Sequence, residues 1–119
     1  APAGRDDEAD ASPEALAALC RGALARLPAF GTDEEGALLR DVASGIATRL
    51  ERAQARIDPT LAHAAALQPA LRHLVATVTE QRKDAAYSSA AQQLMELDLG
   101  VALLECWLRA ATFDRALAA

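Results

Sequence analysis

Aromatic residues are almost missing from this chain, with one Trp, one Tyr and two Phe in 119 residues. Val, Ile and Thr are also thin beside Ala and Leu. Strands are built from β-branched and aromatic side chains, so little is left from which to make a sheet. No apolar run approaches the roughly 20 residues that span a bilayer, because Arg, Glu or Asp interrupts each stretch. A basic excess is lacking too. Twelve Lys and Arg against 17 Asp and Glu leave a net charge of -5, which argues against a general nucleic-acid binder, since such a protein must offset phosphate charge. No Gly-rich phosphate loop and no paired-cysteine spacing occurs. These absences predict a soluble all-α domain with no nucleic-acid or membrane partner and no cofactor.

What is present is helix-forming. Alanine is the commonest residue and leucine supplies most of the bulk, and both enter helices at little cost. A length of 119 residues fits one domain with a single core. Residues 1–11 hold Arg5 and the acids Asp6, Asp7, Glu8 and Asp10 without a large apolar residue, so they read as a flexible acidic lead-in. Residues 12–119 read as a single helical domain. The start Ala-Pro-Ala-Gly, without Met, predicts a processed or excised chain.

Four helices are expected. Ser12-Pro13-Glu14 supplies a hydroxyl cap, a proline at the first helical position and an acid in the first turn. Leu16, Leu19, Ala23, Leu24 and Leu27 then share a face up to Pro28. Thr32-Asp33-Glu34-Glu35 matches a capping box with Thr32 as the cap. The helix behind it carries Leu39, Val42, Ile46, Leu50, Ala53 and Ile57 at three- and four-residue spacings, with Gly36 and Gly45 inside it. Asp58-Pro59 predicts a sharp turn into a third helix beginning near Leu61, kinked or restarted at Gln68 by Pro69. The last helix, Ser89 to Leu117, organises the rest: Leu94, Leu97, Val101, Leu104, Leu108 and Ala111 form its stripe, and Met95, Cys106, Trp107 and Phe113 are expected to widen it.

Between Val78 and Leu94 an unbroken helix would advance its apolar face by about 160° beyond whole turns. Two architectures follow. In one, the chain turns near Ala85 to Ser88, Ser89 and Gln92 form a second capping box, and the four helices make an antiparallel bundle. In the other, the last two helices fuse into an elongated rod, which must bury its second half against another chain as a dimer. The candidate contact residues are then Leu94, Val101, Leu104, Trp107 and Leu108. Trp107 reads either as a core residue with its N–H near the edge or as an interface anchor.

Few other residues invite a chemical role. His63 and His73 lack the spacing of a helical metal pair, so no metal site is expected. Arg49, Arg52 and Arg56 share a flank of the second helix, where they complement the dipole or offer a patch to an acidic partner. Asp98 adjoins the apolar stripe, and Glu105 has Arg109 as its neighbour one turn on. Cys20 and Cys106 read as reduced, packed thiols in an intracellular compartment. Ser44, Ser88 and Ser89 have no base near them in sequence, so no catalytic residue is assigned.

The stretches CRGALARLPAFGTDEEGALLRDVASGIATRLERA and LMELDLGVALLECWLRAATFDRALAA let Ala, Leu and Arg displace other helix formers. In this habit the chain resembles the helical central region of the herpesvirus large tegument protein, and high-GC bacterial helical domains share it. The tegument resemblance implies a scaffold between capsid and envelope that acts through protein contacts in the virion and the host cytoplasm. That family's cysteine protease belongs to its N-terminal region and finds no counterpart in Cys20 or Cys106. The sequence therefore predicts a non-enzymatic helical scaffold with protein partners, foremost a second copy of itself. The alternative is a small bacterial helical domain that binds a ligand or partner inside its bundle.

Overall fold

The computed structural model describes residues 12–57, 67–83 and 88–118, the side chains of 114–118 excepted. Among the described residues there are α-helices and no strand: α1 Pro13–Ala25, α2 Glu34–Ala55, α3 Gln68–Lys83 and α4 Ala90–Ala118. The acidic residues 1–11, the Asp58-Pro59 turn and the start of the third helix near Leu61 lie outside the described residues.

Short polar side chains set three of the helix starts. Ser12 Oγ accepts from the Ala15 N–H at 3.0 Å, with Pro13 at the first helical position. Ser89 Oγ accepts from the Gln92 N–H at 3.1 Å. At α2 the cap is Asp33 rather than the expected Thr32: Asp33 Oδ1 accepts from the Gly36 N–H at 2.9 Å. A carboxylate at this position meets the positive end of the helix dipole as a charged acceptor, which a threonine hydroxyl cannot match. Moving the cap by one residue also puts a glycine where the chain doubles back.

Gly36 is buried, and a Cβ there would lie 1.8 Å from the Gly31 carbonyl oxygen. That carbonyl crosses the first turn of α2 and accepts from Arg40 Nη1 at 2.7 Å. Gly45 is the opposite case, since a Cβ there meets nothing within 4 Å. Gly45→Ala should therefore raise unfolding stability by about 0.5 to 1 kcal/mol. Gly36→Ala should lower it, because backbone must move to admit one methyl group. Urea titration of both variants reads the difference, and equal effects would contradict the arrangement of the Gly31 carbonyl.

The α3 and α4 segments are separate helices. Lys83 is the last described residue of α3 and Ser89 caps α4, so the fused rod does not form; the turn predicted from Ala85 falls on residues outside the described ones. The two pack antiparallel: Trp107 Nε1 donates to the Leu67 carbonyl at 3.0 Å, while further along, Gly100 approaches the Val78 side chain. Cys20 of α1 also lies beside Gly100, and Glu14 and Ala17 of α1 border the same hollow as Gln54 and Ile57 near the end of α2. Directions therefore alternate along the chain.

Neighbour relations differ from a square bundle. Helices α1 and α4 each pack on all three others, and α2 and α3 flank them on opposite sides without comparable contact. Consecutive helices α2 and α3 are therefore not packing neighbours. The core gathers Leu16 and Cys20, Ile46 and Leu50, Leu71, and the α4 stripe Leu94, Leu97, Val101, Leu104, Leu108 and Ala111. No polar or charged side chain is buried among the described residues.

Candidate interaction face

Helix α4 carries a second apolar stripe. Met95, Leu99, Ala102, Cys106 and Phe113 alternate by four and three residues, with Arg109 completing the series. At 100° per residue this series lies roughly 160° round the helix from the buried one. Met95 is 73% exposed, Phe113 66% and Leu99 51%. Three of the residues expected to widen the core stripe, Met95, Cys106 and Phe113, therefore face outward. Trp107 alone of that group joins the core, 4% exposed. A helix apolar on all sides is normally covered on all sides.

Helix α2 has exposed apolar residues of its own. Leu38 and Val42 are exposed, and they lie on the same flank of α2 as Arg49, eleven and seven residues away. Of the stripe expected in the core, Leu39 and Ile46 do turn inward, but Val42 is left at the edge.

An ionic clamp closes the α2–α4 seam beneath these residues. Arg49 donates through Nη1 to Asp98 Oδ1 and through Nη2 to Glu105 Oε1, the latter at 2.6 Å. Hydrogen bonding to Glu105 first, then to Asp98, raises the guanidinium above its ordinary value. Both carboxylates lie on α4 two turns apart, so one forked guanidinium grips the helix at two heights. Neither partner was legible in sequence, where Glu105 was matched to Arg109. The clamp is partly solvated, Asp98 keeping 53% of its side-chain exposure, and it orients the helices more than it stabilises them.

The other candidate contact residues separate into two groups. Leu94, Val101, Leu104, Trp107 and Leu108 are buried inside this chain's own core and present nothing to a partner, because α1, α2 and α3 already cover them. Of the arginine trio, Arg49 is spent on α4, while Arg52 and Arg56 are exposed. The arginines therefore form no joint patch. The sequence signal for the exposed stripe is a second register of the same four-three spacing, running from Met95 to Phe113 beside the buried one.

The thiols also part company. Cys20 is buried, and desolvation pushes its pKa up to about 11. Cys106 is exposed on the outer stripe, contrary to the expectation of a packed thiol, because it sits opposite the core register. Between α1, α3 and α4 there is a partly open cavity of about 130 Å³, lined by Cys20, Val78, Leu97 and Gly100 with Arg82 and Glu96 beside them. His73 is exposed on α3, and His63 lies outside the described residues. Among the described residues no group of His, Cys, Asp and Glu is placed to hold a metal ion. None of the described helices is long and apolar enough to cross a membrane.

Among the described residues these features define an all-α, bundle-like arrangement of four helices with one apolar face left uncovered. Comparison with protein-family models, curated proteins and solved structures finds no match.

Proposed function

We propose that this chain is a non-enzymatic helical scaffold segment that works through protein–protein contacts, with the outer face of α4 as its contact surface. The observation that carries this reading is the exposure of Met95, Leu99 and Phe113 in one register, on a helix whose opposite face already fills the core. Exposed apolar residues scattered singly need no explanation, whereas an aligned row of them marks a binding surface. The resemblance to the helical centre of herpesvirus large tegument proteins agrees with this reading, since those are scaffolds of the virion and the host cytoplasm.

Light scattering of the purified chain over a concentration series tests the proposal. The expected mass is twice the 12.5 kDa of one chain, falling to that of a single chain in Leu99→Lys with the helical circular-dichroism signal unchanged. The cavity beside Cys20 favours a second reading, a domain that holds a small apolar ligand, since a space of this size accepts a benzene-sized molecule. A chain that stays monomeric at every concentration, and whose melting temperature rises with such a ligand, would replace the first reading with the second.

A further inference from the structure

We propose that the uncovered face of α4 is closed by a second copy of this chain in antiparallel register, with the twofold axis passing beside Leu104. This inference rests on the contact-surface reading above and specifies its occupant. Its first support is the spacing itself. Met95, Leu99, Ala102, Cys106, Arg109 and Phe113 follow one another by four, three, four, three and four residues, a series that reads the same from either end. In heptad terms Met95, Ala102 and Arg109 hold one seam position and Leu99, Cys106 and Phe113 the other. An isologous contact requires a surface that is its own complement. Turning this seam about an axis level with residue 104 places Met95 against Phe113 of the second copy, Leu99 against Arg109, and Ala102 against Cys106.

The sizes and charges of these pairs agree with that register. The smallest side chains, Ala102 and Cys106, meet beside the axis, where two helix backbones come closest. The bulkiest and most exposed, Met95 and Phe113, meet at the two ends. Arg109 lays its stem along Leu99 and brings its guanidinium to Asp98 of the second copy, whose carboxylate engages Arg49 through Oδ1 and is still half-exposed. A parallel pairing fails on the same residue. It would stack Arg109 on Arg109 in a seam position, and like charges opposed at an interface cost several kcal/mol.

Thiol cross-linking of the full chain separates the registers. In the antiparallel pair the two Cys106 residues are offset by about one helical turn, too far for a disulfide. In the parallel pair they face each other. Mild oxidation should therefore leave the natural chain uncrosslinked, while Ala102→Cys should give a covalent dimer on a non-reducing gel, lost again when Cys106→Ser is added. Cys20 does not compete, being buried and protonated. Arg109→Asp supplies an independent reading, since it sets acid beside Asp98 and should weaken the antiparallel dimer by at least about tenfold. In a parallel dimer it would merely exchange one like-charged pair for another.

Efficient cross-linking of the natural chain through Cys106, or an Ala102→Cys dimer that is stable by light scattering yet does not cross-link, would overturn the register and leave the contact-surface reading standing. A chain that scatters as a monomer throughout would overturn both.

Discussion

Leu104→Ala is expected to cost about 2 to 5 kcal/mol of unfolding stability, the range found when a fully buried leucine is truncated. Leu104 is 0% exposed and lies mid-way along α4, the helix that touches all the others. The space left behind would be walled by helices already held apart by their neighbours on the stripe, Val101 and Leu108, so collapse into it is restricted. The change should appear in urea titration as a lower midpoint at an unchanged slope. Leu99→Ala, five residues back and on the outer face, is the control: at concentrations where the chain is monomeric its effect should stay within about 0.5 kcal/mol. A similarly small effect at Leu104 would mean that α4 does not organise the core.

Trp107→Ala should be at least as costly, about 3 to 5 kcal/mol. Two losses combine in it. The ring fills the α3–α4 contact at 4% exposure, and its Nε1–H satisfies the Leu67 carbonyl directly ahead of α3. Trp107→Phe separates the two, since it retains most of the ring and removes the N–H donor; its cost is expected at about 0.5 to 1.5 kcal/mol. Hydrogen exchange gives an independent check. Amides in the first turn of α3 should exchange faster in both variants, because this bond ties the helix start to α4. Unchanged exchange there, or a Phe variant as damaged as the Ala variant, would show that the hydrogen bond plays no such part.

Leu104 was visible in the sequence as a member of a three-four alternation, whereas Trp107 beside it read either as a core residue or as an interface anchor. An apolar stripe is a local property, computed from residue spacing alone, so Leu104 and Leu108 announce their burial without reference to a partner helix. The same holds for Ser12 and Ser89, whose hydroxyls cap helices by reaching backbone only three residues away. Asp33 shows the limit of such reasoning. Thr32 and Asp33 are both competent caps, and the choice between them falls to Gly36, which must lie where the Gly31 carbonyl passes.

The outer stripe exposes a different limit. Met95, Cys106 and Phe113 are as apolar as their buried neighbours, and composition places them all in the core. On a helix of nearly uniform hydrophobicity, pattern identifies two candidate faces but not which of them the rest of the chain will cover. That choice belongs to α2, which anchors itself to the flank bearing Asp98 and Glu105 through Arg49.

By itself the sequence determined the all-helical class, two of the helix caps and the three-four spacing of the α4 stripes, since each depends on residues within a few turns of one another. Only the tertiary structure decided that α2 and α3 stand on opposite flanks, that Arg49 grips carboxylates 49 and 56 residues away, and that Met95, Leu99 and Phe113 stay outside. The physical reason is that helix order around a core is settled by competition among faces of similar hydrophobicity. The outcome depends on every helix at once, and no local window of the chain contains it.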